Sequence, residues 1–455
     1  MALSFALGAL HSRSGTSVPS IAFDVGISAR RPRIFALQRI PFSSRQVFDF
    51  RFRWGFYARP WKCRPRSLVF YAQYHTVSAS SSSDDAGVLG SEETGPVFDP
   101  YNPKLNPTDM PSSEEVQRYL EMAENGGKEV DASGPKYKPS TDSEDPIVQS
   151  LIQRLKVKEV LKIELLESRW NGNDCYKYTT DQRDFFIKVN RVEAPSVYVA
   201  EALSLVTIAK TNTLRAPVPY HVGALPRVGQ FGPGAFLVME FVPLKPFGSM
   251  VSGNQVLLSE RLADMHLSTA LSDVHIGRFG FMVSNWLSIT PQDNTWTDSW
   301  PDFFKRRLSA QIERAYRPRE FSEKQIAPTS DPTLRNMASL LVEKVPSLLA
   351  TELPVKPSLV HGDLWIGNTG ADGSGPVVFD PACYFGHHEV ELSIMQMYGG
   401  YSQAFWDAYH SKMPKAPGFE LRSKVYTLYH YLNHLNLFGD PKVYDRCVEL
   451  VKELL

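Results

Sequence analysis

The chain has 455 residues, 43% of them apolar, with 49 Lys and Arg against 49 Asp and Glu. That length supports more than one core, and the neutral balance argues against a nucleic-acid binder, which carries a basic surplus. Four cysteines without a CxxC pair exclude a disulfide scaffold and a zinc ribbon, and no run reaches the roughly 18 apolar residues of a membrane span.

The neutral total hides a segregation of charge. Residues 1–80 hold eleven Arg and one Lys against only Asp24 and Asp49, a net of +10. An Arg-rich, Ser-rich, acid-poor start predicts an organelle transit peptide, and Met1-Ala2-Leu3-Ser4 resembles a plastid-targeting opening, which implies a chloroplast protein. The alternative is a disordered basic arm that is retained. Residues 84–150 reverse the sign, with fifteen acidic and five basic residues. This composition predicts a solvated linker over 81–145. One short helix is expected near 113–124, capped by Ser112 with Glu115 completing a capping box.

The remaining chain, about 300 residues, has balanced charge and dense aromatics, enough for a compact two-lobed enzyme. Its first part, 146–243, reads as a small nucleotide-binding lobe. Phe185-Phe186-Ile187-Lys188-Val189 is a strand with a lysine inside it. Glu201 follows in a helical pattern of Val199, Ala202, Leu203 and Val206. A strand Lys tied to a helix Glu is how protein-kinase-like folds hold ATP phosphates. Next, Ala235 to Val242 reads as an apolar strand leading into a hinge. Main-chain groups around Glu240, Phe241 and Val242 would then meet an adenine edge, although an ordinary core strand reads the same way.

The second part, 244–455, carries the chemistry. Val360-His361-Gly362-Asp363-Leu364-Trp365-Ile366-Gly367-Asn368 is followed by Val377-Val378-Phe379-Asp380. Two apolar strands thus end in acid-bearing turns. Phosphoryl transfer needs a carboxylate near the acceptor hydroxyl and hard oxygen ligands for Mg2+. Asp363 suits the first role; Asn368 and Asp380 suit the second. The expected fold is α+β, a protein-kinase-like two-lobed fold with a small β-rich lobe and a larger, mainly helical one, preceded by a disordered extension.

From about Ile147 to Gly439 the chain resembles the fructosamine kinase (ketosamine 3-kinase) family. HGDLW at 361–365, DPACYFGHHEVEL at 380–392, PQDNTW at 291–296, KMPKAPGFE at 412–420 and HYLNHLNLFG at 430–439 carry the resemblance. It implies an ATP-dependent kinase that phosphorylates the 3-hydroxyl of a ketosamine on a protein lysine or a free amine. The phosphorylated adduct then breaks down and frees the amine. It also implies Asp363 as proton acceptor, Asn368 and Asp380 as metal ligands, and Lys188 with Glu201 as the ATP-positioning pair. Trp365 is placed to stack on the sugar. His387 and Glu389 either orient the substrate or form a buried structural pair. No nucleic-acid or membrane partner is expected.

The phosphate loop departs from the family pattern. Between Trp170 and Tyr178 only Gly172 remains of a glycine run, and Asp174 is expected to bring negative charge beside the phosphates. Ser299 stands where the family pattern has an acid. Cys175, read as an exposed loop thiol with Lys177 nearby, is a candidate for a redox-dependent homodimer. Two other functions stay open: a kinase of another small hydroxyl compound, of the aminoglycoside or choline kinase type, and a kinase-like binding protein with a degenerate phosphate loop.

Overall fold

A computed structural model describes residue 117 and residues 138–169, 173–190, 195–226, 234–246, 252–316, 332–352 and 354–455. The basic segment 1–80 and most of the acidic linker lie outside these residues. Of the helix expected near 113–124 only Gln117 is described, and it is helical.

The first lobe begins with helix α1 (Pro146–Leu155). Proline at its first position needs no hydrogen-bond partner there, and the Asp145 carboxylate caps the turn by accepting from Ile147 N at 2.8 Å and Val148 N at 3.3 Å. Its buried residues Ile147, Val148 and Leu151 face a five-stranded antiparallel sheet. The strands are β1 (Val160–Ser168), β2 (Asn173–Thr180), β3 (Asp184–Asn190), β4 (Pro219–Leu225) and β5 (Gly234–Glu240), in the order β1-β2-β3-β5-β4.

Register sorts the side chains by face. In β2 and β3, Asp174 pairs with Val189, Tyr176 with Ile187 and Tyr178 with Phe185. Directly opposed residues share a face, and Val189, Tyr176, Ile187, Tyr178 and Phe185 form the core under α1. Cys175 pairs with Lys188, so both point to the other face. There lies α2 (Pro195–Thr211), apolar on nearly all sides and accordingly buried on nearly all sides.

The second lobe is mainly helical. Strand β6 (Lys245–Pro246) leads to α3 (Ser252–Leu267), the short α4 (Ser272–His275) and the hairpin β7 (Asn285–Leu287) and β8 (Thr290–Gln292). Helices α5 (Trp300–Ala315) and α6 (Pro332–Leu348) follow. Ser299 is the cap of α5, accepting from Asp302 N at 3.3 Å. Next come β9 (Ser358–Val360), β10 (Thr369–Asp372), β11 (Gly375–Val378) and β12 (Tyr384–Gly386). Helices α7 (Glu389–Tyr398), α8 (Gln403–Lys412), α9 (Phe419–Phe438) and α10 (Pro441–Leu454) close the lobe. Aromatic packing around Trp300 holds α5, α9 and β12 together: Trp300 lies 5.6 Å from Phe303 and from Phe304, and donates Nε1–H to Tyr426 Oη at 2.9 Å.

Within the second lobe, β6 pairs with β10 in the small sheet β11-β10-β6. Main-chain and side-chain bonds cross between the lobes: Val378 N donates to Arg215 O at 2.9 Å, and Cys383 N donates to Ser204 Oγ at 3.2 Å. The turn ending β11 is thereby fixed against the first lobe.

Several histidines are buried in the second lobe. Burial pushes His266, His388 and His430 each down to a pKa of about 3. Unfolded imidazoles take up a proton below about pH 6.5. Between those values the unfolded state binds more protons, so stability falls as the pH drops through this window. At pH 5.5 the three together should cost roughly 4 kcal/mol relative to neutral pH. Urea unfolding of wild type and His430→Asn at pH 7.5 and 5.5 should show the wild-type midpoint fall more on acidification than the variant's; equal falls would contradict a neutral buried His430.

Candidate active site

The cleft face of β3 carries Lys188, almost completely buried. Its Nζ bonds Glu201 Oε1 on α2 at 2.6 Å and Asp380 Oδ1, beyond β11, at 2.5 Å. The other Asp380 oxygen accepts from Arg169 Nη1 at 2.6 Å. Both oxygens of one carboxylate thus sit on cations of the first lobe, Lys188 within β3 and Arg169 just beyond β1. Burial works to raise the Asp380 pKa, but Lys188 and Arg169 outweigh it and hold the carboxyl well below its ordinary range. Asp380 has φ of +58°, a left-handed conformation that Asp adopts more readily than most residues.

The loop after β9 holds the second group. Gly362 has φ of +83°, and a Cβ there would collide with the Ala382 carbonyl, so only glycine fits. His361 is fully buried, with Nε2 3.1 Å from Phe379 O and Nδ1 accepting from Asp363 N at 3.3 Å. These contacts fit the neutral Nε2–H tautomer, and burial lowers the His361 pKa in the same sense. Asn368 donates from Nδ2 to Asp363 O at 2.8 Å and to Asp363 Oδ2 at 3.1 Å. Burial, reinforced by the negative charge of Asp380, raises the Asp363 carboxyl well above its usual range, while Asn368 opposes the rise. A carboxylate of raised pKa is a better proton acceptor near neutral pH.

Sequence reasoning missed the residue that holds this loop. Glu391 on α7 accepts His361 N, and Gly362 N at 3.1 Å, with Leu364 N–H also contributing. It is 1% exposed. The available signal was its setting: α7 is buried from Glu389 through Met395, so any acid in that stretch needs partners. Arg169 was missed as well, since nothing in the strand pattern marks which hairpin residue reaches across the cleft.

The other predicted residues lie as follows. The Glu240 carboxylate is bonded to Arg215 and accepts Val218 N at 3.2 Å, and its own N–H donates to Val218 O at 2.8 Å. Phe241 lies under Lys177 Nζ, 4.6 Å from the ring centre, and Val242 is half-buried. Half-buried Trp365 packs 5.1 Å from Tyr398 and covers Gly367, where a Cβ would strike its ring. Tyr398 in turn bonds His434 Nε2 at 2.7 Å.

His387 and Glu389 are both buried. Glu389 makes two 2.7 Å bonds with the Arg422 guanidinium, and His387 Nδ1 meets Tyr426 Oη at 2.9 Å. The ligand atoms of His387, His388 and Glu389 lie within 4.8 Å of one another. The paired guanidinium already neutralises Glu389, so the cluster is a hydrogen-bonded structural unit here and a poor cation site.

Two expectations at the phosphate loop are corrected. Cys175 is not an exposed loop thiol: it lies within β2 with no exposed surface. Burial pushes its thiol up to about 11 against the lowering influence of Lys188 and Arg169. Such a thiol is neither reactive nor able to reach a second chain without opening the hairpin. Asp174 does not face the phosphate side. It projects from the opposite face, bonded to the Ser168 hydroxyl. Residues 170–172, including Gly172, lie outside the described residues.

The donor set suits a hard divalent cation. The Asp380 carboxylate and the Asn368 amide oxygen are both oxygen donors, and the Asn368 nitrogen is turned towards Asp363, which directs its oxygen away. A carboxylate proton acceptor, two oxygen donors and a buried Lys–Glu pair together can position a polyphosphate against a hydroxyl.

Comparison with known proteins agrees. A family model described as fructosamine kinase matches residues 150–455. The chain is 40% identical over 299 residues to protein-ribulosamine 3-kinase, chloroplastic, of Oryza sativa subsp. japonica, covering 65% of this chain and 80% of that protein. It is 37% identical over 294 residues to ketosamine-3-kinase of Mus musculus, covering 59% and 89%. A crystal structure assigned to the fructosamine-3-kinases, from Haemophilus somnus, superposes with a TM-score of 0.56 at 24% identity, covering 68% and 96%. That likeness establishes the two-lobed fold.

Proposed function

Because the chain belongs to the fructosamine kinase family, we propose that it transfers the γ-phosphoryl group of ATP to the 3-hydroxyl of a ketosamine. The acceptor is a ribulosamine or fructosamine adduct on a protein lysine or a small amine. The observation that carries this reading is the convergence of Lys188, Glu201 and Asp380 beside the Asp363–Asn368 loop.

Each residue has a separable task. Asp363 takes the proton as the 3-oxygen attacks phosphorus and ADP leaves. Lys188, held by Glu201, contacts the α- and β-phosphates. Asp380 and the Asn368 oxygen would hold Mg2+, whose charge offsets that building up on the phosphate oxygens. Main-chain groups of the Glu240–Val242 hinge would meet the adenine; the Glu240 N–H is committed to Val218, which leaves that role to its carbonyl and to Val242. Trp365 offers a flat face next to Asp363 for the sugar. A C3 phosphate leaves more readily than hydroxide, so the product releases its amine and the reaction serves protein deglycation.

An ADP-coupled assay with a ribulosamine, a fructosamine and a plain amino alcohol tests this. A ketosamine should be turned over in preference to the amino alcohol, and Asp363→Asn should lower the rate about 10²- to 10⁴-fold. Preference for the amino alcohol, or wild-type turnover by Asp363→Asn, would defeat the assignment.

We further propose that the enzyme works in the chloroplast. This is supported by the Arg-rich, acid-poor segment 1–80 and by the chloroplastic naming of the rice relative. N-terminal sequencing of protein from purified plastids should find a start near residue 80. Full-length chain confined to the cytosol would contradict it.

A further inference from the structure

Arg169 is the residue that most needs an explanation. Its N–H donates to Asn173 O at 2.8 Å, closing the β1–β2 hairpin across 170–172. The pleat decides where its side chain goes. Ser168 pairs with Asp174 and bonds it on the face away from the cleft, while Glu167 pairs with Cys175 on the cleft face. Arg169, next after Ser168, therefore points into the cleft. Its Nη1 reaches Asp380 Oδ2 at 2.6 Å and its Nε reaches Glu167 Oε2 at 3.0 Å. The side chain is 32% exposed, so it can move.

That contact conflicts with the task given to Asp380. With Lys188 on one oxygen and Arg169 on the other, a metal ion on this carboxylate would sit beside two cations, and their mutual repulsion favours the departure of one. Lys188 is 5% exposed and also tied to Glu201, whereas Arg169 is the mobile partner. A displaced guanidinium needs another anion within reach. The segment 169–175 also contains a single glycine, whereas glycine runs are what let main-chain N–H groups approach phosphates closely. A guanidinium supplies forked donors that match phosphate oxygens.

We propose that Arg169 is a nucleotide-binding residue that exchanges partners. Without nucleotide it holds Asp380; with metal and nucleotide it releases Asp380 and binds the polyphosphate. The hairpin cation does the work that glycine N–H groups do in glycine-rich loops. This rests on the kinase reading above, but not on which sugar is the acceptor.

Calorimetric binding of Mg·ADP without any sugar substrate tests it, using wild type, Arg169→Ala and Arg169→Lys. Arg169→Ala should bind Mg·ADP about 10- to 100-fold more weakly. Arg169→Lys should lie between the two, since it keeps the charge without the fork. The melting temperature without nucleotide should fall in Arg169→Ala and less in Arg169→Lys, because the alanine removes one of the two cations that offset the largely buried Asp380. The nucleotide-induced rise in melting temperature should shrink in step with affinity. Unchanged affinity in Arg169→Ala would overturn the proposal. Tighter binding would overturn it too, by showing that Arg169 only blocks Asp380. Wild-type protein that fails to bind Mg·ADP would sink the kinase reading as well, whereas binding without ketosamine turnover would sink only the substrate assignment.

Discussion

One buried carboxylate governs the geometry of the catalytic loop. Glu391 lies inside the second lobe and accepts main-chain N–H groups from His361 and Gly362. Removing a carboxylate from water costs several kcal/mol unless donors replace the water. Here the donors are the backbone of the loop itself, so the desolvated charge fixes the loop while the loop stabilises the charge. The remaining features follow from that constraint. Gly362 must adopt a positive φ to present its N–H, and Ala382 leaves no room for a side chain there. His361 lies between the loop and Phe379, tying the Asp363 turn to the Asp380 turn. His266, with Nε2 3.9 Å from Glu391, is kept neutral by burial and adds no competing charge.

Across the cleft the logic is electrostatic. Two cations, Lys188 and Arg169, face two carboxylates, Glu201 and Asp380. Glu167, on the outer side of Arg169, adds a third carboxylate. The two cations come from the first lobe, Glu201 comes from α2, and Asp380 belongs to the second lobe, so the cluster joins the lobes at the point where a nucleotide would enter. The buried Glu389–Arg422 pair is a separate unit that joins the start of α7 to α9.

Much of this was legible in the sequence because the chemistry is local. Asp363 and Asn368 are five residues apart in one loop, and Asp380 follows the short β10–β11 hairpin, whose pairing of Thr369 with Val378 brings the two turns together. Lys188 and Glu201 were legible as a strand residue followed by a helix residue. The failures have a common physical origin. Cys175 and Asp174 were read as loop residues because the family resemblance puts a phosphate loop between Trp170 and Tyr178, yet the strand starts at Asn173 and alternation then buries one residue and turns the other away. Glu391 and Arg169 act over 30 and 211 residues of separation, and no local period encodes such contacts. The readings of His387 and Glu389 could not be separated by sequence, because Arg422, which pairs with Glu389, lies 33 residues further on.

The most direct test of this account is the kinetics of Glu391→Gln. The amide keeps the shape but loses the charge that holds the loop. With charge-assisted bonds worth about 1.5–3 kcal/mol, kcat should fall roughly 10- to 100-fold, while Mg·ADP affinity, to which Lys188 and Arg169 of the first lobe also contribute, should fall less than kcat. A folded Glu391→Gln enzyme with wild-type kcat would contradict the claim that this carboxylate positions Asp363.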